Sequence, residues 1–291
     1  HTESKMSNNV FLFFFTKKYP VFFWTFHPFY GIILAVQQKE KSFRMKENKY
    51  NDDIFFEKYS RMSRSVLGLA GAGEWKTLQP LLPDFAGKEV LDLGCGYGWH
   101  CAYAAQHGAK RVLGIDLSDK MLAVAKEKNS APCIEYRCCA IEDFSCPEQS
   151  FDVVFSSLAL HYVRDFEETV RRVFQSLKPN GIFIFSCEHP VFTAQGSQDW
   201  VYNPDGSISH FPVDRYYEQG ERSANFLGET VIKYHRTLTA YLMTLIDCGF
   251  TLRAVAEPMP PEDMLDLPGM KDEMRRPMML IVKAQKPDKK E

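Results

Sequence analysis

The chain has no CxxC pair and no cysteine spacing of the kind that holds zinc, although it contains eight cysteines. Several of them lie in apolar runs, so reduced packing residues are expected. Adjacent Cys138 and Cys139 would point to opposite faces of a strand, which argues against joint metal binding. Charge of one sign is also missing, with Lys+Arg 35 against Asp+Glu 37 and a formal charge of -2. A broad positive field for a phosphate backbone is therefore absent, and nucleic acid is not expected as the main partner. No uninterrupted apolar run reaches the roughly 20 residues of a spanning helix. Lys17 and Lys18 split the Phe-rich start, and Pro20, His27 and Pro28 break up its second half. The opening HTESKMSNN lacks the basic start of a secretory signal, and a cytoplasmic location is expected. There is no internal repeat.

What is present is ordinary globular material: 291 residues, 45% hydrophobic and 25% charged. Residues 1–44 differ from the rest in composition, whereas Met45 opens a stretch resembling a cytosolic start. The expectation is a leader or non-native extension over 1–44, outside the fold, followed by one domain over 45–291. A membrane role would require residues 1–44 to be native. Within the domain, residues 45–86 read as a helical cap and 87–187 as a cofactor-binding core. Residues 188–235 read as a substrate lid insertion, and 236–291 as a C-terminal helix with closing strands.

Strand-like and helical patterns alternate through the core. KEVLDLG, RVLGIDL, IEYRCCA, FDVVFSSLAL and GIFIFSCE read as strands. WHCAYAAQHG, SDKMLAVAKEKN and FEETVRRVFQSL read as helices, with Ser118 an N-cap and KPNG a stop. Near-continuous apolar strands separated by helices predict an α/β, doubly wound, mostly parallel sheet covered on both faces. After the fifth strand the rhythm breaks into a proline-interrupted, aromatic-rich segment, which reads as a lid. TLRAVAE and PMMLIVKAQK have no ordinary crossover helix between them, so an antiparallel closing strand is expected.

The turn after the first strand, LDLGCGYGWH, carries Gly94, Gly96 and Gly98. Glycine there permits a tight bend and close approach of backbone to a ligand. Asp116 ends the second strand 22 positions after Gly94, close to the spacing of a carboxylate that accepts ribose hydroxyls. This pattern points to a nucleoside-containing cofactor. A dinucleotide fingerprint would need a third glycine where Trp99 stands, which disfavours an NAD-dependent oxidoreductase without removing it. A non-catalytic partner subunit built on the same fold is the other alternative.

VLDLGCGYG, GIDLSDKML, FDVVFSSLALHYV and LKPNG together resemble the motifs of class I methyltransferases that use S-adenosylmethionine, of the small-molecule, bacterial-like type. The resemblance runs from about Phe55 to Lys283. It implies a Rossmann-like seven-stranded sheet with an antiparallel last strand, S-adenosyl-L-methionine as cofactor and methyl transfer by in-line displacement. It also implies that Asp92, Gly94, Cys95 and Gly96 border the methionine part, and that Asp116 holds the ribose. Leu117 and Met121 would lie against adenine, with Ile141 and Glu142 at its edge and Ser157 and Leu158 near the sulfonium. Ala140 stands where many relatives have an acidic residue, so Glu142 or backbone would read the adenine amine. The candidates for a general base, by location, are His189, Glu188 and His161. Tyr59, Arg64, Trp200, Tyr202 and Tyr234 are candidates for substrate contact, Arg64 through the cofactor carboxylate and Tyr234 with helix capping as its alternative. The aromatic lid suggests a flat or apolar small-molecule acceptor.

Overall fold

The computed structural model describes Lys46 and residues 48–288. The expected leader over 1–44 lies outside the described residues. At the front, where a helical cap is expected, stand three short helices, α1 (Asp53–Ser60), α2 (Ser63–Leu67) and α3 (Trp75–Leu78). Gly68 interrupts them at φ +63°, a conformation that favours glycine. The core then alternates as β1 (Glu89–Leu93), α4 (Trp99–Gln106), β2 (Arg111–Asp116), α5 (Asp119–Lys128) and β3 (Ile134–Cys138). It continues with β4 (Phe151–Ser157), α6 (Phe166–Ser176) and β5 (Leu177–Glu188).

Local chemistry sets the helix starts. Ser118 caps α5 by accepting from Met121 N at 3.2 Å, as expected, and Asp165 caps α6 by accepting from Glu168 N at 3.0 Å. The KPNG turn is drawn into the start of β5: Asn180 sits at φ +61° and the pairing with β4 slips between Phe151 and Val153.

Residues 188–235, expected as a proline-interrupted lid, are about half regular structure. The segment holds α7 (Pro190–Thr193) and two antiparallel hairpins, β6 (Val201–Tyr202) with β7 (Ile208–His210) and β8 (Gly220–Phe226) with β9 (Glu229–His235). The chain then forms α8 (Leu238–Asp247), β10 (Thr251–Ala256), α9 (Met270–Glu273) and β11 (Met279–Gln285). Tyr234, whose alternative reading is helix capping, lies with His235 at the end of β9; Thr237 is the cap of α8.

The main sheet has seven strands in the order β10-β11-β5-β4-β1-β2-β3. β5, β4, β1, β2 and β3 run parallel, and β11 lies antiparallel between β5 and β10. This is the expected Rossmann-like sheet with a reversed last strand. Alternation along β1 divides two cores: Leu91 and Leu93 pack with Val170, Val173 and Tyr241 on one face, and Val90 packs with Cys101, Ala104 and Leu122 on the other. Strand order reverses between β1 and β4, so their carboxyl ends open the crevice where ligands bind in such sheets.

Candidate active site

The turn after β1 is built by backbone hydrogen bonds. Gly94 N and Cys95 N both donate to Ile115 O at 2.9 Å, while Gly94, Gly96 and Gly98 adopt φ +73°, +53° and +75°. A Cβ on Gly94 would stand 2.5 Å from the Ala159 methyl and 3.2 Å from Ile141 Cδ1, and one on Gly96 would stand 3.2 Å from Met121 Cε. Bare backbone, Ile141 and the buried Met121 therefore share one narrow cradle.

Asp116 faces this cradle. Its Oδ2 accepts from Gly96 N at 2.9 Å and its Oδ1 from Ser118 N at 2.8 Å. Burial raises its pKa, and the hydrogen bonds from Ser118, Gly96 and Leu117 work against that rise. Each carboxylate oxygen keeps a further lone pair for a hydroxyl donor. Leu117 lies beside Asp116, its carbonyl within 3.4 Å of Asn48 Nδ2. Glu142 follows Ile141 in a 3-10 turn, and its carbonyl accepts from Arg172 Nη1.

Asp92 stands elsewhere than on the crevice wall. Alternation along β1 turns it under α4, where it is 1% exposed, and Cys101 Sγ donates to its Oδ2 at 3.3 Å. Its Oδ1 has no partner, and burial pushes its pKa up to about 7.

On the β4 side, Ser186 Oγ donates to Ser157 Oγ at 3.2 Å, and Ser157 Oγ donates to Glu74 Oε1 at 3.3 Å. Leu158 takes φ +50° and its N–H donates to Ser186 O at 2.9 Å. A leucine held in the left-handed region marks a backbone that its surroundings over-determine, as functional turns do. Arg64 pairs with the buried Glu74 at 2.5 Å, so its guanidinium is shared with a protein carboxylate whose second oxygen, Oε2, has no partner. Tyr59 stands edge-on to Tyr50 and Tyr97, at ring separations of 5.1 and 5.9 Å.

The three expected acid–base candidates part company. His161 Nδ1 accepts from Glu188 N at 3.3 Å, which leaves the hydrogen on Nε2, 3.9 Å from Glu188 Oε1. Burial lowers its pKa to about 4. Burial would raise the Glu188 carboxyl, but His161, Lys233 and the hydrogen bonds from Lys233 and Gln198 hold it below the ordinary range. His189 turns toward the β10 edge instead, where its Nδ1 caps α7 by accepting from Val191 N and its Nε2 meets Glu257 at 2.8 Å.

The expected aromatic contacts of the insertion also fall outside the crevice. Trp200 packs on Phe211, and the Arg276 guanidinium lies 4.9 Å from Trp200, 4.5 Å from Phe211 and 4.4 Å from Phe192. Tyr202 is exposed, and Tyr234, on the outer face of β9, accepts from Arg164 Nε at 3.2 Å. The inward residue of β9 is its neighbour Lys233, which sequence reasoning missed together with Gln198, Glu74, Tyr50 and Tyr162. The alternation Val231, Lys233, His235 in TVIKYH was the available signal.

The front helices and the β8–β9 hairpin meet over this end. Phe55 packs on Phe226 at 5.7 Å, and Lys49 and Lys58 each lie 3.3 Å from Glu229. Among the described residues no group of three or more His, Cys, Asp or Glu side chains could hold a metal ion, and no helix is long and apolar enough to cross a membrane.

Comparison with known proteins gives the class. Residues 91–185 match the family described as a methyltransferase domain. The crystal structure of a Listeria monocytogenes protein provisionally assigned as an S-adenosylmethionine dependent methyltransferase is 54% identical. It superposes with a TM-score of 0.73 over 76% of this chain and 100% of that one. An S-adenosylmethionine dependent methyltransferase from Mesorhizobium loti is 42% identical with a TM-score of 0.70, over 75% of this chain and 100% of that one. The chain belongs to the class I S-adenosylmethionine-dependent methyltransferases; it is an enzyme and S-adenosylmethionine is its cofactor. Among curated sequences, an uncharacterized protein of Haemophilus influenzae is 34% identical over 84% of this chain and 99% of that one. The ubiquinone biosynthesis O-methyltransferase of Neisseria meningitidis is 35% identical over 49% of this chain and 65% of that protein.

Proposed function

We propose that the enzyme methylates a small-molecule acceptor by in-line displacement, with the cofactor lying along the turn after β1. The observation that carries this reading is the glycine bend joined to Asp116 through the Gly96 N–H, at the point where strand order reverses. The similarity to ubiquinone O-methyltransferases supports a small acceptor. When bound, S-adenosylmethionine supplies an electrophilic methyl group on a positively charged sulfur.

The chain's own residues bind, orient and exclude water. Asp116 accepts the ribose hydroxyls, Leu117 and Met121 pack on adenine, and Ile141 and Glu142 border its edge. Gly94, Cys95 and Gly96 offer backbone to the methionine part, and Ser157 and Leu158 face the transferring group. Asp92 supports the turn from beneath. Arg64 meets the cofactor carboxylate while tethered to Glu74, and Tyr59 closes the front. With these contacts the main contribution is placement of an acceptor atom about 3 Å from the methyl carbon with water kept out. His161 is not set up as a base, because one nitrogen is engaged and the other carries its hydrogen. Glu188 is a weak base for the same pairing that keeps it ionised. His189 has no part in this reading.

Calorimetry with S-adenosylhomocysteine tests the placement. Asp116→Ala should weaken binding by about 1–3 kcal/mol through lost charge-assisted hydrogen bonds, with the fold unchanged by circular dichroism. Unchanged affinity would contradict the ribose assignment. A panel of small phenols, amines and acids tests the acceptor class, and transfer confined to protein or RNA would contradict it.

A further inference from the structure

Beyond the serine pair of β4 and β5, the crevice ends in a closed ring of three side chains. Lys233 Nζ donates to Glu188 Oε1 at 2.6 Å and to Gln198 Oε1 at 2.9 Å, and Gln198 Nε2 donates to Glu188 Oε2 at 2.7 Å. The Lys233 side chain is 2% exposed, and its ammonium lies 5.4 Å from the Phe226 ring and 6.0 Å from the Tyr162 ring. Gln198 is held at φ +60°, a costly conformation for a residue with a side chain. Three distant segments, the end of β5, the loop before β6 and the middle of β9, thus converge on one carboxylate two residues past Ser186.

Two donors at this ring keep an unspent hydrogen. An ammonium carries three hydrogens, and two are spent. His161 holds its hydrogen on Nε2, and the 3.9 Å separation from Glu188 is too long for a hydrogen bond. Each oxygen of Glu188 already accepts one hydrogen bond, Oε1 from Lys233 and Oε2 from Gln198, and keeps a second lone pair. The donors beside the aromatic rings with an unspent hydrogen are Lys233 Nζ and His161 Nε2. A purely apolar acceptor would leave both donors without water or partner. An acceptor oxygen satisfies both, and one bearing negative charge does so through the stronger, charge-assisted hydrogen bonds.

We infer that Lys233, with His161 beside it, binds an anionic oxygen of the acceptor, a phenolate or a carboxylate, and so determines specificity. This rests on the small-molecule reading above. Glu188 and Gln198 are the positioning residues, fixing the ammonium rather than touching the acceptor.

The test uses the protein saturated with S-adenosylhomocysteine and four probes: 4-nitrophenol, 4-nitrobenzoate, nitrobenzene and tyramine. Calorimetry should show at least one of the two anionic probes binding tenfold or more tighter than nitrobenzene and tyramine. In the phenolate case the absorbance of 4-nitrophenol should show it ionising at lower pH when bound than when free. In the carboxylate case 4-nitrobenzoate binds and that shift is missing. Lys233→Met should erase the preference for anions while leaving S-adenosylhomocysteine affinity unchanged, which a merely structural role would not do. Should that variant fail to fold, the wild-type order of the probes decides alone. Equal binding of all four, a preference that survives Lys233→Met, or no probe bound by a protein that binds S-adenosylhomocysteine would overturn the inference. Methyl transfer seen only onto protein or RNA would instead overturn the reading it rests on.

Discussion

At the scale of single residues, Asp92 carries a stability signature that its position dictates. It is 1% exposed with one oxygen unpartnered, and burial lifts its pKa to about 7 against the weaker pull of the Cys101 thiol. A carboxyl whose folded pKa lies above its unfolded value near 4 stabilises the fold fully below pH 4, and that stability is lost as pH rises through about 7. Urea unfolding at pH 5 and pH 8 should show the wild type losing on the order of 1–4 kcal/mol more than Asp92→Asn over this interval. Equal losses would mean that Asp92 finds a partner the buried geometry does not show. Gly94→Ala tests the bend itself. At φ +73° a side chain costs roughly 1–2 kcal/mol, and its Cβ would also press on Ala159 at 2.5 Å. S-adenosylhomocysteine affinity should fall more than tenfold, and Ala159→Gly in the same chain should recover only the steric part. Gly94, Gly96 and Asp116 were legible because they lie within one strand-turn-helix-strand segment whose spacing fixes their geometry, and Met121, in the helix that follows, only through the family resemblance. Lys233, Gln198 and Glu74 were not, because side chains distant along the sequence meet only when the insertion and front helices fold onto the sheet.

At the scale of elements, aromatic composition alone misled about the insertion. The aromatic segment around Trp200 reads as an acceptor-facing lid, yet the faces of Phe192, Trp200 and Phe211 are taken by Arg276, whose side chain is 6% exposed and pairs with Glu273 at 2.7 Å. Arg275 adds hydrogen bonds to Ile208 O and Ser209 O of β7. The clamp therefore fastens the β6–β7 hairpin to the segment preceding β11. Composition could not show this, since a ring that stacks on a cation and a ring that lines a pocket need the same residue types. Arg276→Ala should destabilise the protein by about 2–3 kcal/mol, combining the lost desolvated cation–π contacts with an unpaired Glu273. Limited proteolysis should cut within 200–212 much faster, while S-adenosylhomocysteine affinity stays the same. Weakened cofactor binding with normal proteolytic resistance would return Trp200 to the site. The β8–β9 hairpin is the element that does reach the crevice, and its reversal through Leu227 at φ +56° and Gly228 at φ +76° sets the register that turns Lys233 inward and Tyr234 outward.

At the scale of the whole molecule, the parallel core was legible because the near-continuously buried β1, β2 and β4 are each followed by a helix, α5 and α6 with side-chain caps of their own, and the reversed β11 because no crossover helix of ordinary length separates it from β10. The hairpins of the insertion escaped notice because β6 and β7 are two and three residues long and β8 and β9, at seven residues each, bury only alternate positions, so prolines and scattered glycines outweighed the alternation. The site draws on β1, β2, β4, β5, β9 and the front helices together, so a ligand seated there joins parts of the chain that unfolding must separate. S-adenosylhomocysteine at one hundred times its Kd should stabilise the native state by about 2.7 kcal/mol. For a domain of this size that corresponds to a rise in Tm of roughly 5–10 °C, and NAD at the same concentration should give none. Differential scanning calorimetry with each ligand checks both halves. A shift produced equally by NAD would mean that Asp116 holds a ribose without the turn after β1 discriminating what the ribose carries. A shift from S-adenosylhomocysteine that persists undiminished in Asp116→Ala would move the nucleoside away from this carboxylate while leaving the cofactor itself in place.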